Sequence, residues 1–437
     1  MTIARKLFGT DGVRGEAGTF LGAELATALG SATTATLEAK RPQVLIVRDT
    51  RESGPMLESA LAAGIAAAGG DALLGGVLPT PAAAILVKRL GLDLAAIVSA
   101  SHNPFRDNGI KFFNGRGLKL ADEVEAEIEA LIEAAPAAER AGHVRELNGG
   151  LEDYLRELEA AFPLDLSGRR VVLDCANGAT YRAAPEIFER LGAEVEATAV
   201  EPDGRNINAG CGSTHVDSLA ERVAASDAEI GFAFDGDGDR VLAVDGSGRV
   251  HDGDELIALS ARGRAQRGEL GGGVVVTVMS NFGFHQAMEE AGMEVAVTQV
   301  GDRYVIDEML RRGWSLGGEQ SGHIIASDFV STGDGIAAAL MTMRELGGRR
   351  LEDAVPMRKL PQVLVNVEVA DREAVQDAAA VWAAVEKAGE DLDGRGRVLL
   401  RPSGTEPLVR VMVEAPSAEE AEAVCDRLVG VVRQELA

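Results

Sequence analysis

Short apolar runs that lead into glycine-rich polar loops or helical patterns constrain this chain more than any other feature. Val44, Leu45, Ile46 and Val47 form one such run, Ala95, Ala96, Ile97 and Val98 a second, and residues 171–173, 230–234, 241–244 and 274–278 supply four more. Each is long enough for a buried strand and too short for a helix. Helical spacing fills 57–68, 123–133, 151–161, 256–265, 284–291 and 304–311. Buried strands alternating with helices predict α/β units with strands covered on both faces. After 360 the pattern changes, because Val363, Val365, Val367 and Val369 alternate with less apolar neighbours as in a half-exposed antiparallel strand. Helical patterns over 372–388 and 418–436, with strands over 398–400 and 409–413, predict an α+β tail. With 437 residues the chain exceeds one compact core, and four domains are expected at 1–148, 149–250, 251–358 and 359–437.

Charge narrows the function. A net charge of −26 argues against a nucleic-acid partner, since counterion release needs a basic face. Any anionic ligand must then be met by cations gathered locally. No stretch approaches the roughly 20 apolar residues of a membrane span, residues 1–8 lack a signal-peptide core, and so no membrane partner and a cytoplasmic location are expected. Cys175, Cys211 and Cys425 are odd in number and widely spaced, which suggests neither disulfides nor a zinc site.

Five loops carry chemistry. In Phe8-Gly9-Thr10-Asp11-Gly12-Val13-Arg14-Gly15, glycines expose backbone N–H groups beside the Arg14 fork. Ser99-Ala100-Ser101-His102-Asn103-Pro104 follows a buried strand, where open α/β sheets place reactive groups. Ser99 and Asn103 stand where a hydrolase elbow needs glycine, so acyl chemistry is disfavoured. Lys111, after Asn108-Gly109-Ile110, can neutralise transferred phosphate or move a proton.

Asp235-Gly236-Asp237-Gly238-Asp239-Arg240 sets three hard oxygen donors on a tight turn, as Mg²⁺ or Ca²⁺ requires. An EF-hand is excluded, because its sixth and twelfth positions would be Arg240 and Gly246 instead of Gly and Glu. Glu319, Gln320, Ser321 and His323, in Gly317-Gly318-Glu319-Gln320-Ser321-Gly322-His323, suit hydroxyl recognition. Arg401, Ser403, Gly404 and Thr405, with Arg410 beyond, can surround a phosphate dianion.

In this order and combination the loops resemble the α-D-phosphohexomutase superfamily, and within it the bacterial-type phosphoglucosamine mutases, over residues 8–414. Gln320, where neutral-sugar mutases usually carry Met, and Asp174-Cys175-Ala176-Asn177-Gly178-Ala179 point to that branch. The resemblance implies three related α/β domains with mixed sheets plus a C-terminal α+β domain with an antiparallel sheet and two helices, each giving one loop to a central cleft. It implies a phosphoserine at Ser101, one Mg²⁺ per subunit held by Asp235, Asp237, Asp239 and the serine oxygen, and a small sugar phosphate as substrate. The reaction implied is interconversion of glucosamine 6-phosphate and glucosamine 1-phosphate through glucosamine 1,6-bisphosphate, by a monomer or homodimer. Neutral hexose phosphates are the alternative substrate. Arg14, Lys111 and Arg240 are expected to neutralise charge, and Lys111, His102 and His323 are the candidate proton acceptors, Lys111 being favoured.

Overall fold

The computed structural model describes residues 7–9, 11–133, 138–403 and 407–436. Its first sheet has six strands in the order Val13–Glu16, Asp107–Asn114, Leu94–Val98, Gln43–Arg48, Asp71–Val77 and Val144–Glu146. Gln43–Arg48 runs parallel to both of its neighbours, whereas Asp107–Asn114 is antiparallel to both of its own, so the sheet is mixed. Helices Ala23–Ala35 and Gly54–Ala67 cross at glycines: a Cβ at Gly30 would meet the Leu61 carbonyl oxygen at 2.4 Å, and one at Gly64 that of Thr27 at 2.0 Å. Leu29, Leu57, Leu61 and Ile46 fill the core beneath.

The second sheet orders Val250–His251, Val241–Asp245, Ile230–Phe234, Arg170–Asp174 and Glu194–Thr198. A third orders Glu294–Thr298, Gly273–Thr277, Leu316–Gly318 and Ile324–Ala326. In each the central strand is wholly buried; Gly273–Thr277 is parallel to both neighbours, whereas Ile230–Phe234 is parallel to Arg170–Asp174 and antiparallel to Val241–Asp245. The fourth sheet is antiparallel, with Leu408–Glu414 between Gln362–Glu368 and Arg397–Pro402, and its apolar face packs on helices Ala379–Leu392 and Ala418–Leu436. Three α/β sheets and one α+β unit are thus present.

One element departs from the sequence pattern. The helical spacing over 372–388 is broken into a 3-10 turn, Glu373–Asp377, and an α-helix, Ala379–Leu392, because Ala378 takes φ −78° and ψ 78°. The Trp382 indole N–H donates across the break to the Val375 carbonyl at 2.8 Å. Helix Phe282–Glu290, expected over 284–291, is present and belongs to the compact unit formed by residues 280–292 and 356–437, the other unit being 1–279 and 293–355. Asn281 both donates to and accepts from Leu360, at 3.1 and 2.9 Å, and the Phe282 N–H donates to Glu414 at 2.8 Å, which ties the start of this helix to the antiparallel sheet. Among the described residues no helix is long and apolar enough to cross a membrane.

Candidate active site

Ser101 follows the carboxyl end of the buried strand Leu94–Val98 and is itself buried. Its φ of 51° is left-handed, a conformation that costs a non-glycine residue roughly 1–2 kcal/mol. Hydrogen bonds offset that cost. The Ser101 N–H donates to Ser99 Oγ at 2.9 Å, Ser99 Oγ donates to Asp49 Oδ2 at 2.6 Å, and the Ser101 carbonyl accepts from Arg51 and Asn208, each at 2.9 Å. Ser101 Oγ is left facing Asp235 Oδ2 at 2.5 Å, with His102 Nδ1 at 3.2 Å. Burial, then the nearby Arg240 and Arg14, lowers the pKa of His102, so its ring is held neutral.

The 235–240 loop leaves the buried strand Ile230–Phe234 in the same way. Glycine at 236 is required, because a Cβ there would meet the Ser101 carbonyl oxygen at 2.4 Å. Asp235, Asp237 and Asp239 are buried and bring one carboxylate oxygen each within 4.8 Å of one another. Asp237 Oδ2 accepts from Thr80 at 2.6 Å and from Lys111 at 2.9 Å, while Asp237 Oδ1 and Asp239 Oδ1 are buried with no hydrogen-bond partner. Burial and then the charges of Asp239 and Asp237 push Asp235 well above the usual carboxylate range. Three hard carboxylates with two unpartnered buried oxygens fit a divalent oxygen-seeking cation such as Mg²⁺.

Cations surround this cluster. Lys111 Nζ, on the strand Asp107–Asn114, lies 2.9 Å from Asp237, 3.6 Å from Asp239 and 3.7 Å from Asp11. Burial opposes its charge, but Asp11, Asp237 and Asp239 outweigh it, and Lys111 is held firmly protonated. Lys119 bridges Asp11 at 2.5 Å and Asp302 at 2.6 Å, and Arg14 pairs with Asp11. Burial would raise Asp11, yet Lys111, Lys119 and Arg14 together hold it well below the usual range. Arg240 keeps its side chain partly exposed, its Nε 3.9 Å from Asp239.

Glu319, Gln320 and Ser321 line a cavity of about 490 Å³ together with Arg240, Ser213 and Thr214. Glu319 is oriented by the Gly301 N–H, which donates to it at 3.0 Å. His323 does not line this cavity. It is buried, its Nε2 accepts from the Gly333 N–H at 2.9 Å, and its Nδ1 lies 3.6 Å from Asp239. Burial works against its charge while Asp239, Asp302 and Glu319 pull the other way. A proton on Nε2 would meet the Gly333 N–H head-on, so the geometry favours the neutral ring protonated on Nδ1.

In the C-terminal unit Arg401 and Arg410 stand opposite each other on paired strands, and burial and then the Arg410 charge lower the Arg401 pKa. Like charges held opposite on a sheet are unfavourable. The Ser403 N–H donates to the Leu408 carbonyl at 2.9 Å, whereas Gly404 and Thr405 lie outside the described residues. Sequence reading passed over Asp11, Asp49, Arg51, Lys119, Asn208 and Asp302. Asp49 and Arg51 follow the carboxyl end of the strand Gln43–Arg48, and that position is the one signal that could have marked them.

Four family models cover the chain: "Phosphoglucomutase/phosphomannomutase, alpha/beta/alpha domain I" over residues 5–139, domain II over 152–248, domain III over 252–358 and the C-terminal domain over 364–431. A phosphoglucosamine mutase from Moorella thermoacetica is 52% identical over 429 residues, which span 95% of this chain and 97% of that protein. Among solved structures, a phosphoglucomutase/phosphomannomutase family protein from Burkholderia thailandensis superposes with TM-score 0.85 at 24% identity, over 98% of this chain and 97% of that one. The N-acetylphosphoglucosamine mutase of Aspergillus fumigatus, in complex with GlcNAc-6P and magnesium, gives 0.69 at 19% identity, over 99% and 96%.

Proposed function

This chain belongs to the α-D-phosphohexomutase superfamily, beside the phosphoglucosamine mutases, and we propose on that premise that it interconverts glucosamine 6-phosphate and glucosamine 1-phosphate. The observation that carries the reading is Ser101 Oγ set 2.5 Å from Asp235, in a buried carboxylate cluster with two unpartnered oxygens. Ser101 is stored as phosphoserine and passes its phosphoryl group to O1 of glucosamine 6-phosphate. The resulting 1,6-bisphosphate returns its 6-phosphoryl to Ser101 and leaves as the 1-phosphate, the form consumed in making UDP-N-acetylglucosamine. Each transfer breaks one P–O bond and makes another, so the enzyme ends as it began.

Asp235, Asp237, Asp239 and the serine oxygen would hold one Mg²⁺ per subunit, which neutralises charge on the transferring group when bound. Arg14, Lys111 and Arg240 add positive charge around the same oxygens. Lys111, expected as the acceptor of the hydroxyl proton, is held firmly protonated by Asp11, Asp237 and Asp239 and so serves by its charge. His102, neutral and 3.2 Å from Ser101 Oγ, is the acceptor that remains, since His323 Nε2 already accepts from the Gly333 N–H. Glu319, Gln320 and Ser321 read the sugar, with His323 behind them, and Arg401, Ser403, Gly404, Thr405 and Arg410 grip the phosphate that is not reacting. The enzyme works in the cytoplasm as a monomer or homodimer.

The test is conversion followed by ³¹P NMR, with Mg²⁺ and a trace of glucosamine 1,6-bisphosphate, starting from glucosamine 6-phosphate or glucose 6-phosphate. Faster turnover of the amino sugar is expected. A preference for glucose moves the chain to the neutral-sugar branch, and conversion of neither sugar removes the mutase reading.

A further inference from the structure

Arg51 is the largest fully buried side chain described in the protein. A guanidinium offers five N–H donors in one plane. All five are used: Nε donates to Asp49 Oδ2 at 2.8 Å, Nη1 to the carbonyls of Pro104 and, at 2.9 Å, Asp107, and Nη2 to the carbonyls of Ser101 at 2.9 Å and Asn103 at 2.8 Å. Four of the five acceptors are therefore backbone carbonyls, three in the loop that carries Ser101 and one at the first residue of the strand that follows it. Asp49 supplies the counter-charge and, by accepting from Ser99 Oγ, joins the same network to the Ser101 N–H.

A second clamp comes from residues of the second sheet's loops. Asn208, itself left-handed with φ 57°, donates through Nδ2 to the Ser101 carbonyl at 2.9 Å and to that of Asn103 at 3.3 Å. Two donors thus hold the Ser101 carbonyl while Ser99 holds its N–H. The peptide planes on both sides of Ser101 are fixed, and with them the left-handed turn that aims Oγ at Asp235.

We infer that Arg51 and Asn208 are positioning residues for the phosphoryl-carrying serine, which they lock in its strained conformation from two directions. The inference rests on Ser101 being that carrier. Lysine at 51 keeps the charge and its pairing with Asp49, but it has three donors on a flexible stem and cannot span four carbonyls. Asn208→Ala removes the second clamp and buries no new charge.

The experiment compares Arg51→Lys and Asn208→Ala with the parent enzyme in melting temperature, kcat, KM and the crystallographic φ of Ser101. Positioning predicts a kcat loss of about 10- to 100-fold, KM within about threefold, and a Ser101 φ that leaves the left-handed region. A merely structural role lowers melting temperature and leaves kcat of the folded enzyme and the φ of Ser101 unchanged. That result in both variants overturns the inference. If Arg51→Lys does not fold, Asn208→Ala decides by the same two readouts. If the parent converts no hexose phosphate, the mutase reading fails by itself, and the φ of Ser101 in the variants alone judges the clamp.

Discussion

The 99–104 loop and the 235–240 loop both leave the carboxyl end of a buried strand, yet they treat their polar atoms differently. Around Ser101 the five Arg51 donors, the Asp49 carboxylate and the Ser99 hydroxyl satisfy one another inside the protein. Around Asp237 and Asp239 two buried carboxylate oxygens find no hydrogen-bond donor, although Thr80 and Lys111 are at hand for Asp237 Oδ2. A closed network holds a group still. An open one in a buried, like-charged cluster is complete only when a cation joins it. The serine loop is built to be aimed and the aspartate loop to be filled.

The sharpest way to break this contrast is Ser101→Ala, which deletes what the closed loop aims. Turnover is expected to fall on the order of a thousandfold or more with the melting temperature kept, as read by ³¹P NMR and a thermal scan. A retained rate would mean the loop holds a bystander. Next, stripping divalent cations with EDTA should lower turnover by about 100-fold or more, and added Mg²⁺ should restore it. Mg²⁺ at ~100 times its Kd should also stabilise the fold by about 2.7 kcal/mol; a melting temperature indifferent to Mg²⁺ would show that the open carboxylates need no cation.

Lys111→Ala follows in size. It removes the cation that faces Asp237 and Asp239, and kcat should drop by roughly 100-fold while the protein stays folded. Near-normal turnover would end its assignment.

The smallest effect comes from a closed charge cluster remote from Ser101. His251 is buried between Asp245 at 2.9 Å and Glu255 at 3.0 Å, with Arg249 also on Glu255. Burial opposes its charge, but the hydrogen bonds to Glu255 and Asp245 outweigh it and raise the pKa above 6.5. A raised folded pKa means that the stabilisation is full below about 6.5 and is lost as pH rises through the folded value. The melting temperature should therefore fall by a few degrees as pH rises past about 6.5 through the folded value. Mg²⁺ should not change that slope, and His251→Gln should flatten it. A slope that persists in His251→Gln would assign it to another group.

Much of the molecule was legible in the chain itself. Apolar runs such as Ile230–Phe234 and the alternating valines of Gln362–Glu368 declare strands through contiguous residues. The strand Asp107–Asn114 was not legible, because Asn108 and Gly109 interrupt its pattern; pairing with Leu94–Val98 on one side and Val13–Glu16 on the other makes it a strand. It also turns Lys111 toward the carboxylates. The helical spacing across Ala378 was misleading, since spacing records which side chains face a core and not whether the backbone between them stays helical.

The sequence alone determined the α/β and α+β units and the loops rich in Ser, Asp, Glu and Arg, because local spacing and residue type depend only on neighbours along the chain. Tertiary structure alone decided that Arg51 grips a carbonyl 50 residues away, that Asn208 reaches the same atom across 107, and that Lys119 ties Asp11 to Asp302. Contacts between distant residues leave no periodic mark in the sequence, and they form only after the sheets have brought the strand ends together.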